Sequence, residues 1–266
     1  MKWCERAKFR RGKASTPTQR VAVRFMVASY LACMTLPVLA GPPYQTDDPE
    51  PVDYKHYEFY IASQQTRNAS GRSGTAPHFE FNYGALPDVH LHIIAPVAFN
   101  SPSGDTRQYG YGDTELGIKY RFIHETDSRP MVGTFPIVIT PTGNSSKGLG
   151  NGESQIYLPI WFQKKWGDWQ TYAGGGYWIM HGLADKNYWF AGWQIQKELS
   201  EHLTLGAEVF HRTEQVVGQG ETTGFNLGGS FSFNEHNHLL FSVGKGVQNV
   251  GETNRFSSYL AYQWTY

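Results

Sequence analysis

Residues 256–266 read Phe256-Ser257-Ser258-Tyr259-Leu260-Ala261-Tyr262-Gln263-Trp264-Thr265-Tyr266. Side chains two apart share one face of an extended chain. Phe256, Ser258, Leu260, Tyr262, Trp264 and Tyr266 therefore form one face, and Ser257, Tyr259, Ala261, Gln263 and Thr265 the other. One face is mostly aromatic or apolar, and the other is largely polar or small. That is the pattern of a strand between two unlike surroundings.

The same alternation recurs upstream. Phe225, Leu227, Gly229, Phe231 and Phe233 alternate with Asn226, Gly228, Ser230 and Ser232. Leu116, Ile118, Tyr120 and Phe122 alternate with Glu115, Gly117, Lys119 and Arg121. Val89, Leu91, Ile93, Ala95 and Val97 alternate with His90, His92, Ile94 and Pro96. Twelve strands are expected, over residues 54–66, 76–84, 88–99, 113–125, 131–140, 154–164, 169–180, 188–198, 202–213, 222–233, 238–247 and 254–266. Most exceed the roughly 5–6 residues of a soluble strand and suit the roughly 9–11 of a tilted membrane strand.

The connections support the same reading. Short ones (85–87, 126–130, 165–168, 199–201 and 234–237) alternate with long ones (67–75, 100–112, 141–153, 181–187, 214–221 and 248–253). An even strand count, short periplasmic turns and longer outside loops describe an outer-membrane barrel. The expected fold is all-β: a 12-stranded antiparallel transmembrane β-barrel over residues 54–266, with both ends on the turn side. The C-terminal aromatic strand is the expected contact for the barrel-assembly machinery, and outer-membrane lipid the expected surrounding.

Composition agrees. The 266 residues are 17% charged and 15% aromatic, which excludes a disordered chain. Two cysteines, Cys4 and Cys33, exclude a disulfide scaffold or a multi-cysteine metal site. Residues 1–24 hold eight basic side chains and one acid, and an apolar run over 25–40 ends Val38-Leu39-Ala40. This is the pattern of a signal peptide over 1–40, cleaved near Ala40. Its removal would take eight of 23 basic and one of 23 acidic residues, leaving 15 against 22, a net charge of −7 and no cysteine. Such a chain has no general attraction for nucleic acid.

Three stretches resemble a known family. They are Gly110-Tyr111-Gly112-Asp113-Thr114-Glu115-Leu116-Gly117-Ile118-Lys119-Tyr120-Arg121-Phe122, Pro141-Thr142-Gly143-Asn144-Ser145-Ser146-Lys147-Gly148-Leu149-Gly150-Asn151-Gly152, and Thr46-Asp47-Asp48-Pro49-Glu50-Pro51. With the hairpin rhythm, they are similar to outer-membrane transporters associated with meta-pathway phenol degradation. The resemblance implies a closed barrel and uptake of apolar or aromatic compounds. It brings no catalytic residue and no established substrate.

With the apolar rows facing lipid, the inward rows carry His56, Glu58 and Tyr60; His78, Glu80 and Asn82; His90 and His92; Glu115, Lys119 and Arg121; Tyr157 and Trp161; Gln194 and Gln196; Glu208 and Arg212. These are the candidate pore-lining residues, because polar groups at membrane depth must face inward. They can pair across the barrel and stiffen it, or select small-molecule solutes in a water-filled path. Trp166, Trp169, Tyr262, Trp264 and Tyr266 suit an interfacial girdle.

Residues 41–53 form a separate Pro- and Asp-rich periplasmic segment, with Pro42, Pro43, Pro49 and Pro51 among Asp47, Asp48, Glu50 and Asp53. Proline removes ladder donors, so this stretch is not a central strand. It is expected either to constrict the periplasmic mouth or to trail as a leader.

No cofactor or metal is expected. His90 and His92 share a face but lack a third ligand, and the glycine-rich stretch around Lys147 has no Walker A ending. A serine hydrolase of the outer-membrane phospholipase kind would need a Ser–His pair with an orienting group, which no spacing indicates. The expected function is a channel for small solutes. A structural or receptor barrel is the main alternative, and a lipid hydrolase a minor one.

Overall fold

In the computed structural model, residues 42–182 and 185–266 are described. The expected signal peptide lies outside the described residues. Fourteen strand segments follow in order: β1 (Tyr57–Arg67), β2 (Gly71–Leu86), β3 (Val89–Pro102), β4 (Gln108–Tyr111), β5 (Thr114–Ile123), β6 (Met131–Thr134), β7 (Ile137–Thr140), β8 (Gln155–Trp166), β9 (Trp169–Ile179), β10 (Tyr188–Ser200), β11 (Leu203–Arg212), β12 (Thr222–Asn234), β13 (Asn237–Gly246) and β14 (Phe256–Thr265). They occupy twelve positions in the wall. β4 and β5 lie in line along β3, and β6 and β7 lie in line between β5 and β8. Neighbours are antiparallel, and β1 pairs with β14 from Glu58↔Thr265 to Arg67↔Phe256, which closes the barrel.

The two interruptions have local causes. Between β6 and β7, Pro136 has no N–H to give the ladder, although its carbonyl still accepts from Ile118 N–H at 3.1 Å. Between β4 and β5, Gly112-Asp113 leaves the ladder, and the Asp113 carboxylate binds loop backbone instead. The first expected loop, 67–75, is a correction. β2 already begins at Gly71 and pairs with β1 as far as Arg67↔Arg72, so only 68–70 connect them. Polar residues there suggest a loop, but a strand beyond the apolar band can carry polar groups on both faces.

The outward and inward rows are as the alternation requires. Tyr60 is 1% exposed and its neighbour Ile61 46%; Glu208 is 1% exposed and Val209 51%. Such a belt of bare aliphatic and aromatic side chains would be a liability in water and is the normal surface in lipid. At the turn end, Tyr57 lies 5.5 Å from both Trp264 and Tyr266 and 5.9 Å from Phe81, ring centre to ring centre. These rings form an aromatic collar of the kind found at membrane interfaces.

Candidate functional site

The interior has two unlike walls. On the β14–β1–β2–β3–β5 side, polar side chains form a continuous chain. Gln263 Nε2 donates to Tyr60 Oη (2.6 Å), and Tyr60 donates to Glu58 Oε2 (2.7 Å). Asn82 Nδ2 donates to Glu80 Oε1 (3.0 Å), which leaves Asn82 Oδ1 to accept from His92 Nδ1 (2.6 Å). His92 Nε2 faces Glu115 Oε1 at 3.1 Å. Both His92 nitrogens thus point at acceptors. A further carboxamide cluster joins Gln194, Gln196 and Gln170, with Tyr172 Oη 2.8 Å from Gln196 Nε2. Buried polar groups need partners, and these rows supply most of them, along and across strands. The opposite wall, whose β9 and β10 also carry that carboxamide cluster, is otherwise largely aromatic. Phe135, Ile137, Tyr157, Trp161, Phe190 and Phe210 form one buried cluster, with Tyr157 stacked on Trp178 at 4.6 Å.

The N-terminal segment runs through this interior. Pro43 carbonyl accepts from Ser242 Oγ (2.7 Å). Gln45 N–H donates to Glu208 (2.9 Å), and its side-chain oxygen accepts from Arg212. Thr46 gives Glu208 both its N–H and its hydroxyl, the latter at 2.6 Å. Lys119 Nζ lies 2.9 Å from Asp47 Oδ1 and 3.4 Å from Asp48 Oδ2. Gln163 donates to Glu50 (3.1 Å), and Val52 N–H donates to His90 Nδ1 (3.0 Å). Thr46 and Asp48 have no solvent exposure. The wall is cut away to admit the segment: a methyl group on Gly192 would overlap Thr46 Oγ1. The segment is thus held by side chains rather than by a ladder, as its prolines require.

Beyond the segment, toward the loops, lies a cavity of about 710 Å³. Residues 42–45 form its floor, and it reaches the loop end at Asn68, Gln219 and Glu252. Of the expected pore-lining residues, His78, Glu80, Glu115 and Arg212 border it. Glu58, Tyr60, Asn82, His90, His92, Lys119, Arg121, Tyr157, Trp161, Gln194, Gln196 and Glu208 also belong to the interior, but they meet the N-terminal segment or one another rather than the cavity. His56 is a correction: it is exposed, precedes β1 and approaches the Tyr54 carbonyl through Nδ1. The alternation holds only from Tyr57 onward, because the strand begins there and His56 lies one step outside it. At the turn end, Asp88 meets Arg121 Nε (2.8 Å) and His124 Nε2 (3.1 Å). Partial burial alone would raise its carboxyl, but hydrogen bonding and charge from Arg121, joined by His124, hold it below the usual carboxylate range.

Several cavity residues are absent from the expected pore-lining set, among them Gln64, Asp113, Leu149, Gln155, Asn226 and Asn254, although Asn226 stands on the inward row that the alternation gives. Gln64 continues the row of Glu58 and Tyr60 and is reachable by extending it. Asp113 and Leu149 are not, since their place depends on loop folding.

Comparison with known proteins gives a family and a fold. The family described as "Putative MetA-pathway of phenol degradation" matches residues 69–264. No curated protein matches. Among solved structures, the chain is similar to the COG4313 outer membrane channel from Pseudomonas putida F1, with 18% identity and a TM-score of 0.64 over 86% of this chain and 100% of that one. It is also similar to the KdgM porin solved in complex with disordered oligogalacturonate, with 9% identity and a TM-score of 0.54 over 79% and 99%. The NanC porin has 5% identity and the same TM-score over 77% and 97%. At these identities the likeness is one of fold. With the lipid-facing belt and the polar interior already described, the chain is an outer-membrane β-barrel and belongs to the MetA-pathway phenol degradation family.

Proposed function

We propose that this barrel is a narrow, non-enzymatic passage for small solutes across the outer membrane, with residues 42–53 as its inner constriction. The observation that carries this is the cavity of about 710 Å³, which lies between the loops and a floor made by the chain's own N-terminal segment. A barrel that served only as a scaffold has no need of such a space. The channel and porin relatives support the same reading.

The turn end is then periplasmic and the loop end extracellular. Phe210, at the cavity edge, and Phe190 both lie beside the Arg212 guanidinium, at 5.5 and 5.6 Å. A flat ring bearing an acidic or hydroxyl group suits that surface, as the family's description suggests. The β14 strand is the element we read as recognised during barrel assembly. Ion conductance of the purified protein in planar bilayers tests the passage directly: discrete current steps are expected, and a silent, folded barrel would favour a structural role.

A further inference from the structure

Most of the loop over 141–154 is exposed, but one part of it turns in against the inner wall, with Gly148 beside Asn100 and Leu149 beside Gly110 and Gly112. Leu149 is its one buried residue, 5% exposed, and with Gly150 and Asp113 it borders the cavity. A Cβ on Gly110 would sit 3.2 Å from Leu149 Cδ1, so the side chain lies against β4.

One carboxylate holds this fold. Asp113, in the gap between β4 and β5, accepts Gly143 N–H at 2.8 Å through Oδ1 and Asn151 N–H at 2.6 Å through Oδ2. It thus fastens the loop near both of its ends. Charge-assisted bonds of this kind are the stronger class. Gly150 lies so close that any side chain there would overlap the carboxylate. Between the two anchor points, Asn144 accepts from Lys147 N–H (3.2 Å), and its carbonyl accepts from Leu149 N–H (3.0 Å). The far end is tied to the next loop, Asn151 Nδ2 to Asp185 Oδ2 at 2.8 Å and His181 Nδ1 to the Ser154 carbonyl at 2.7 Å.

We infer that this loop is a second, outer constriction in series with the N-terminal segment, and that Asp113 is the residue that positions it. The inference rests on the passage proposed above. The break in the wall at Gly112-Asp113 then has a purpose: it turns one carboxylate out of the ladder to hold the loop.

The test uses the full chain with Leu149→Cys, in proteoliposomes, with and without Asp113→Ala. In parallel, single-channel conductance is compared for the parent, Asp113→Asn and Asp113→Ala, all without the cysteine. Reaction of the introduced thiol with a membrane-impermeant maleimide is expected to speed at least ten-fold in the alanine background. Conductance is expected to rise at least two-fold with alanine and less with asparagine, which keeps one acceptor. Retention of the gel shift on boiling shows that each barrel is folded. Equal labelling in the two backgrounds would overturn the positioning role. Faster labelling with unchanged conductance would overturn the constriction. If every version is silent, the passage itself fails and the constriction with it, while the labelling still reports whether Asp113 holds the loop.

Discussion

The hydroxyl of Thr46 lies 2.6 Å from Oε1 of Glu208, a residue 162 positions along the chain. The same carboxylate takes the N–H groups of Gln45 and Thr46 and, on Oε2, the Asn226 amide at 2.6 Å. One wall side chain therefore satisfies three donors of a segment that has no ladder of its own. Each bond to a charged acceptor contributes about 1.5–3 kcal/mol. Glu208→Ala should let the segment leave the lumen intermittently. Single-channel records should then show frequent transitions to a larger conductance that are rare in the parent. Unchanged records would mean that Glu208 does not hold the segment.

Lys119 is the matching contact lower in the lumen, where it faces Asp47 and Asp48. Removing one partner of a buried pair costs about 3–5 kcal/mol, because the other charge stays behind. Lys119→Met should lower the temperature at which the folded gel band is lost. Adding Asp47→Asn and Asp48→Asn should restore part of the loss. A triple variant less stable than Lys119→Met would contradict the pairing.

Gly192 marks the closest approach of wall and segment. Gly192→Val places a branched side chain where Thr46 Oγ1 lies, while the outward row of β10, with Trp189 and Trp193, is untouched. The variant should insert into vesicles like the parent and conduct more than the parent, up to the level of a barrel without the segment. Parental conductance would show that the lumen can accommodate both groups.

The lipid face gives a prediction independent of transport. Leu227, near the middle of β12, points outward, and its neighbour Asn226 points inward. Arginine on a lipid-facing strand costs about 2–4 kcal/mol near the midplane. Leu227→Arg should lower the urea midpoint for unfolding from vesicles markedly, and Asn226→Ser much less. The opposite order would mean a register shifted by one residue, which would turn every row inside out.

How far the sequence carries can be judged from these same residues. Period two separates Leu227 from Asn226 and Ile61 from Tyr60, because a bilayer outside and a polar lumen inside demand opposite chemistry of neighbours. It also places Lys119, Glu208 and Trp161 in the interior, where they are buried. It cannot show that Lys119 faces Asp47, which is 72 residues away in sequence. Such pairs follow from the path of a segment that carries no periodic signal. The prolines of that segment say only that it is not a strand. The Asp113 clamp is hidden for a similar reason. A carboxylate beside Gly112 reads as the start of a strand, and its partners are backbone N–H groups with no side-chain signature.

The most direct measurement is the single-channel conductance of the barrel lacking residues 42–53, compared with the parent in the same bilayer and salt. Removing a segment that fills the middle of the lumen should raise the conductance several-fold, with the folded gel band retained. A folded deletion variant with parental conductance would contradict the inner constriction and place the limiting step elsewhere.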